Sequence, residues 1–274
     1  MSFAKKISGC IITLNEEKTI GDALDSLDFC DEIVIVDSNS TDRTHAIIKG
    51  FSNKFKTAKG ANKGPVIKVI QQKFLGYGPQ KNFATSKCSF EWVLSIDSDE
   101  RVSPQLHDSI QKWRNSEDDA EIGAYVTNRR NFYIDRWVYH SGWYPDRRIR
   151  FFRKGWGQWA DVQVHELYEQ SKGKTGYLKG DLLHYSIMSL DAHIDNTNRF
   201  TTAAAQEAFA RGKNSGIVGI IFRAFFTFIK MYFVKLGFLD GKSGFILAIM
   251  SSYYSFAKYT KLWYLCRQKE KNGN

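Results

Sequence analysis

Trp92-Val93-Leu94-Ser95-Ile96 runs straight into Asp97-Ser98-Asp99-Glu100. The apolar run predicts a buried strand, and its end carries three carboxylates within four residues. In extended chain, positions i and i+2 point to the same side, so Asp97 and Asp99 can face one site together. Carboxylates this close repel one another, so such a cluster implies a cation to bind. A divalent metal beside a phosphate group is the first expectation.

Working outward, apolar runs alternate with helical patterns through the first half. Ile7–Leu14 reads as a further buried strand, and Glu32–Val36 and Val66–Gln71 as two more strands. Helices are expected over Thr19–Phe29, where Ile20, Ala23, Leu24 and Leu27 share a face, from about Thr41 to Lys49, and over Pro79–Ser86. Ser103-Pro104 predicts a helix to about Trp113, with a serine N-cap and proline at the first helical position. This alternation predicts an α/β fold, a mostly parallel sheet covered on both faces. Residues 50–65 are rich in Gly, Lys and Asn and read as an exposed loop. From Gly123 to Tyr185, aromatics, Arg and Gly crowd together, and short strands such as Ala124–Val126 and Ile149–Phe152 are expected among long loops.

After Leu190 the chain reads as helical again. Ile217–Leu236 is very apolar but carries Arg223, Lys230 and Lys235, and Phe245–Ala257 is shorter. Both fall short of the roughly 20 clean apolar residues of a spanning helix. Aromatics interleaved with Lys and Arg fit helices lying in a membrane interface; an amphipathic cap on the core or an oligomer contact are the alternatives. The organisation expected is an α/β domain over 1–190, in two halves (1–115 and 116–190), the second an active-site half with mixed strands and long loops. A membrane-associating helical region (191–267) and a polar tail (268–274) follow.

The 274 residues carry 39 Lys+Arg against 29 Asp+Glu, a net charge of +10, which favours anionic partners. Cys10, Cys30, Cys88 and Cys266 are scattered without C-x-x-C spacing. Cys10 and Cys88, in or beside apolar runs, read as packed, reduced thiols, so a reducing compartment and no zinc site are expected. Met1–Lys6 runs into a strand with no signal-peptide core, so a cytosolic enzyme is expected.

In an open parallel sheet, ligands bind outside the carboxyl ends of the strands. Polar residues gather there: Thr13-Leu14-Asn15-Glu16-Glu17 after the first strand, Asp37-Ser38-Asn39-Ser40-Thr41-Asp42 after the second, and Asp97 to Glu100 after the fourth. Asn15 and Glu16 are site residues or helix caps. Asp42 reads better as a cap, and Asp37 as a site residue or a turn residue. No cap needs both Asp97 and Asp99. Arg147-Arg148-Ile149-Arg150-Phe151-Phe152-Arg153-Lys154 is strongly basic, and Arg150 and Arg153 could grip a diphosphate or an acidic acceptor in bidentate fashion. A solvated strand face is the other reading. Trp137, Trp143, Trp156 and Trp159 suit sugar faces or core packing equally.

Ile12-Thr13-Leu14-Asn15-Glu16-Glu17, Val36 to Asp42 and Asp97-Ser98-Asp99-Glu100, in that order, resemble the family 2 glycosyltransferases of the GT-A fold. Gly76-Tyr77-Gly78-Pro79-Gln80-Lys81-Asn82 and Gly237-Phe238-Leu239-Asp240-Gly241 narrow the likeness to the subgroup related to lipopolysaccharide-core β-1,4-glucosyltransferases. The resemblance spans Ser8 to about Trp263. It implies an inverting transfer from a nucleotide sugar, UDP-glucose in the leading reading, to a membrane-embedded glycolipid acceptor. The enzyme would lie on the cytoplasmic face of the inner membrane.

The resemblance also implies roles. Thr13, Asn15, Glu16 and Asp37 would line the nucleotide pocket, Asp97 would contact ribose or metal-bound water, and Asp99 would ligate Mg²⁺ or Mn²⁺ at the donor diphosphate. Lys81 is a phosphate-binding cation or a solvated helix charge. His184 in Leu182-Leu183-His184-Tyr185 is a metal ligand or a structural histidine. Glu166 in Val164-His165-Glu166 would be the base that deprotonates the acceptor, with Asp161 as the fallback and His165 a poorer ligand. A sugar-phosphate nucleotidyltransferase is disfavoured because Asn15-Glu16-Glu17 stands where a Gly-rich phosphate loop is needed. A non-enzymatic basic module for membrane or nucleic acid would leave the acidic rim unexplained, and no nucleic-acid partner is expected.

Overall fold

A computed structural model describes residues 4–56, 64–117, 120–161 and 167–272. The strands are β1 (Ile7–Thr13), β2 (Glu32–Asp37), β3 (Val66–Gln71), β4 (Trp92–Asp97), β5 (Glu100–Val102), β6 (Ile122–Tyr133), β7 (Arg136–Trp137), β8 (Asp146–Arg153), β9 (Gly157–Trp159), β10 (Tyr168–Gln170) and β11 (Lys174–Ile187). The helices are α1 (Ile20–Asp25), α2 (Thr44–Lys56), α3 (Tyr77–Ser86), α4 (Pro104–Arg114), α5 (Leu190–Ala210), α6 (Ile217–Ile229) and α7 (Gly241–Asn272). The chain divides into two compact units, Met1–Arg129 with Asp146–His184, and Arg130–Pro145 with Tyr185–Asn274.

Among the described residues the main sheet runs β3-β2-β1-β4-β8-β6-β11-β5, with β7 paired to β6. The first four strands are parallel. β8 runs antiparallel to β4 and β6, and β5 antiparallel to β11. The sheet is therefore mixed rather than mostly parallel, flanked by helices in the GT-A manner. Aromatic-rich 123–185 forms strands of up to 14 residues where short ones were expected.

Alternation sets the two cores. Ile7 and Ile11 of β1, Ile33 and Ile35 of β2, and Trp92, Leu94 and Ile96 of β4 enter one cluster, with Leu24, Ile48, Leu106 and Ile110 from helices. Cys10, Val34, Val36 and Val93 enter the opposite cluster with Ala84, Trp159 and Tyr168. Both faces are buried, as parallel strands require.

Helix ends follow local chemistry. α4 starts as expected, with Ser103 Oγ accepting the Leu106 amide at 3.2 Å. α1 stops at Asp25, short of Phe29, because Ser26 Oγ turns back to donate to Ala23 O at 2.8 Å. α2 begins later than Thr41, since Asp42 Oδ1 caps the Thr44 amide at 3.0 Å. It also continues through Gly50 to Lys56, where a loop was expected, because Phe51 and Phe55 stack edge-on one turn apart against the core. Residues 57–63 of the expected loop lie outside the described residues.

The second unit is organised around Asp240. Its carboxylate accepts the Tyr139 and His140 amides at 3.1 and 2.9 Å and meets His140 Nδ1 at 3.1 Å, while Arg136 donates to its carbonyl at 2.9 Å. Gly244 lets the chain reverse there, since a Cβ would stand 1.9 Å from Gly237 O. α6 continues into a π-helical turn over Lys230–Val234. Ile217–Val234 thus forms 18 helical residues of mean hydropathy 1.8, only 6% buried, and by length and composition it could cross a membrane. The expectation that this run falls short is corrected. Arg223, which broke the sequence pattern, packs its guanidinium 4.5 Å from the Tyr259 ring of α7.

Candidate active site

Parallel register brings the strand ends level. Thr13 pairs with Asp37 and Ile12 with Asp97, so the polar ends of β1, β2 and β4 form one rim. Asn15 adopts a left-handed conformation (φ 56°), and its Oδ1 accepts the Thr41 amide at 2.8 Å. Its own amide donates to Ser40 Oγ at 2.9 Å. Asn15 therefore ties the loop after β1 to the loop after β2 and does not cap a helix. Asp37 is fully buried; it accepts from the Ser40 amide at 2.9 Å and the Ser40 hydroxyl, and meets His45 Nε2 at 3.0 Å. Thr13 Oγ1 is buried with no hydrogen-bond partner among the described residues. Glu16 Oε2 accepts from Thr19 Oγ1 at 2.6 Å. Burial raises the Glu16 carboxyl above its usual range, and the nearby Asp99, Asp42 and Asp97 charges push the same way against the Thr19 bond.

The centre of the rim is an ion network. Lys81, in the second turn of α3, is only 2% exposed and donates to Asp97 Oδ1 at 2.7 Å. Arg150 donates to Asp97 Oδ2 at 2.7 Å and to Glu100 Oε1 at 3.1 Å. Arg129 bridges Glu100 at 3.4 Å and Asp146 at 2.7 Å. Lys81 and Arg150 both lie over the buried Trp159 ring, at 4.7 and 5.3 Å. Burial opposes the charge on Asp97 and Glu100, but the cations around them together outweigh it, Arg150 first, then Lys81 and Arg129 for Asp97 and Arg129 and His184 for Glu100. Both carboxyls are held below their ordinary range. Glu100 also accepts the Asp97 amide at 3.0 Å, which fixes the turn between β4 and β5.

Arg150 reaches this place through a β-bulge. Tyr125 opposes Phe151 but Val126 opposes Ile149, leaving Arg150 as the extra residue on β8. A bulge of this kind re-aims a side chain next to a site. The other arginines of the basic run are distributed differently. Arg148 pairs with Asp146 at 2.9 Å. Arg153 sits opposite Trp92 at the other end of β4, bonded to Glu91 and to Ile122 O, away from the rim.

Asp99 lies just past β4, and β11 runs antiparallel to β5 with His184 opposite Glu100. His184 Nε2 comes within 3.2 Å of Asp99 Oδ2. A carboxylate oxygen and an imidazole nitrogen this close could offer two donors to a divalent cation, whose remaining positions would fall to phosphate oxygens and water. Among the described residues no group of three or more His, Cys, Asp or Glu converges. The residues fit a metal shared with an anionic ligand, not a closed protein cage. Asp161 is exposed beside the first turn of α3, within 4.0 Å of a Cβ at Gly76. Gly78 permits that approach, since a Cβ there would stand 2.1 Å from Ala160 O. Glu166 and His165 lie outside the described residues.

Sequence reasoning overlooked Arg129, His45 and Gln80. Gln80 is fully buried and donates to Ser38 Oγ at 3.1 Å and to Gln72 O at 3.3 Å, pinning α3 to the rim. A polar residue one position before Lys81 in a short helix was the available signal. Trp156 packs near Arg153, while Trp137 and Trp143 belong to the second unit.

Residues 8–172 match the family described as Glycosyl transferase family 2. A protein of Rhizobium meliloti (strain 1021) named lipopolysaccharide core biosynthesis glycosyltransferase LpsC is 31% identical over 258 residues, 94% of this chain and 92% of that protein. An uncharacterized glycosyltransferase of Rickettsia typhi is 31% identical over 267 residues, 94% of this chain and 87% of its own length. The solved structure of S. aureus TarS 1–349 with UDP-GlcNAc covers 98% of this chain and 92% of that one, at 17% identity and a TM-score of 0.48. By the family match and these full-length relatives, the chain belongs to glycosyl transferase family 2 and is a glycosyltransferase.

Proposed function

We propose that this enzyme is an inverting glycosyltransferase that moves a sugar, glucose in the leading reading, from a UDP-sugar to a lipid-anchored saccharide such as the lipopolysaccharide inner core. The observation that carries the reading is the near full-length likeness to a protein named for lipopolysaccharide core biosynthesis. The rim chemistry agrees with it. Thr13, Asn15, Glu16 and Asp37 would line the nucleotide, and the unpartnered Thr13 hydroxyl is the kind of buried group a bound ligand satisfies. Asp99 and His184 would hold Mg²⁺ or Mn²⁺. The metal, when bound, offsets charge on the departing diphosphate. Lys81 and Arg150 keep Asp97 anionic and oriented. Glu166 would take the acceptor proton, with Asp161 as the fallback. The enzyme would work at the cytoplasmic face of the inner membrane, its helices in the interface and its positive charge toward anionic headgroups.

The test is donor binding and hydrolysis over a panel of UDP- and GDP-sugars, with Mn²⁺ or with EDTA. Metal-dependent preference for UDP-glucose is expected; binding to no nucleotide sugar in either condition would sink the reading. Glu166→Gln should keep donor binding and lose turnover. A near-normal rate in that variant, with loss in Asp161→Asn, moves the base to Asp161.

A further inference from the structure

The helical unit contains an open pocket of about 380 Å³ with no part in the chemistry described above. The rings of Trp143, Tyr254 and Tyr259 line it together with Ser251, Ser255, His193 and Lys258. No Asp or Glu is among the lining residues. Lys258 has no carboxylate partner among the described residues; its ammonium lies 5.6 Å from the Tyr259 ring, which Arg223 approaches to 4.5 Å.

His193 supplies a directed polar group. It is buried at the start of α5, with the Tyr133 hydroxyl 3.0 Å from its Nδ1. Burial pushes the Tyr133 phenol up to about 12 and the His193 imidazole down, so both groups are held neutral. His193 Nε2 has no partner among the described residues and can donate or accept according to tautomer. A lysine ammonium, a histidine nitrogen and two serine hydroxyls without an acid favour an anion, and Arg223 adds positive charge behind the Tyr259 ring. Aromatic walls suit the face of a sugar ring, and the few placed donors would fix its orientation. The same α6 exposes Val218, Ile221, Phe222 and Phe225, each at least 60% exposed. That apolar area exceeds what isolated surface residues account for.

We propose that this pocket binds the phosphorylated saccharide headgroup of a membrane glycolipid, with its acyl chains against the exposed face of α6. The inference rests on the reading that the acceptor is lipid-anchored, and it names the part of this chain that would hold it.

The test uses the full chain and three vesicle types. These are phosphatidylcholine alone, phosphatidylcholine with phosphatidylglycerol, and phosphatidylcholine with a diphosphorylated diglucosamine glycolipid at equal charge. Selective binding to the third is expected. Lys258→Met should weaken it about tenfold, the loss of one charge-assisted contact. Ser255→Tyr, which fills the cavity without touching the charge, should weaken it comparably, with melting temperature as the fold control. Equal binding to both anionic vesicles, or unchanged binding by both variants, overturns the proposal. Full displacement by millimolar inorganic phosphate overturns the glycolipid assignment and leaves a free-phosphate site. Donor binding by the unaltered protein, measured separately, reports on the transferase reading alone, so the two can fail independently.

Discussion

The rim of the first unit and the helices of the second treat their side chains in opposite ways. At the rim, Lys81, Arg150 and Glu100 are almost wholly withdrawn from water, and each charge is answered by another. Along α6 it is the apolar side chains that face outward, with Val218 83% exposed. Burying a charge is costly unless it is paired, and exposing a row of aromatics is unfavourable unless something covers it. The first cost is met inside the chain, by the Lys81–Asp97–Arg150–Glu100–Arg129 network. The second is met nowhere within the described residues, which is why a lipid surface enters the functional reading.

This contrast can be broken most forcefully at Asp97. Asp97→Ala leaves Lys81 and Arg150 buried without their shared anion and should cost about 3–5 kcal/mol in urea unfolding. Asp97→Asn keeps a hydrogen-bonding group but cannot titrate. Asp97 and Glu100 are held below their unfolded values. Their contribution is therefore full above about pH 4 and drains as pH falls, because the unfolded chain then binds more protons. The acid limb of the stability curve should be shallower in Asp97→Asn; an identical limb would remove Asp97 from the pH response.

Asp99→Ala should behave differently from Asp97→Ala, because Asp99 is half-buried and its ion-pair partner is the His184 imidazole. Transfer should fall about a hundredfold or more, with the melting temperature nearly unchanged. A folded variant with full activity would remove Asp99 from the chemistry. In the second unit, Asp240→Ala strips the Tyr139 and His140 amides of their acceptor and should cost about 1–3 kcal/mol. The smallest effect on stability is expected from Phe222→Ser with Phe225→Ser. Both residues are exposed, so unfolding should shift by no more than about 0.5 kcal/mol, while vesicle binding drops. A large loss of stability would mean that this face is already covered within the protein.

Much of the first unit was legible because parallel strands buried on both faces write themselves as continuous apolar runs. Val66–Gln71, an edge strand without a fully buried residue, was still read with its observed ends, and the Ser103 cap was visible as Ser-Pro before a periodic segment. The position of Asp97 and Asp99 at a strand end followed from the same run. Cys10 and Cys88, read as packed thiols from the apolar runs around them, are both buried and free. The aromatic-rich middle was read poorly, since short apolar patches interrupted by arginines look like loops until their partners are known. The basic run was visible as charge, but not which arginine meets which acid. Arg150 and Arg153 are three residues apart and have unrelated surroundings.

The chain by itself determined its family, the βα order of the first half, the carboxylates carried to one rim and the apolar character of the last helices. These depend on residues near one another in sequence, where periodicity and local hydrogen bonding decide. The tertiary structure alone decided that the sheet is mixed, that a bulge turns Arg150 onto Asp97 and Glu100, that His184 meets Asp99 across β5 and β11, and that α6 leaves its phenylalanines uncovered. Each of these depends on strand register and on pairings between residues far apart in the chain. A single residue of slip would reverse which side chains face the site, and no local pattern encodes that choice.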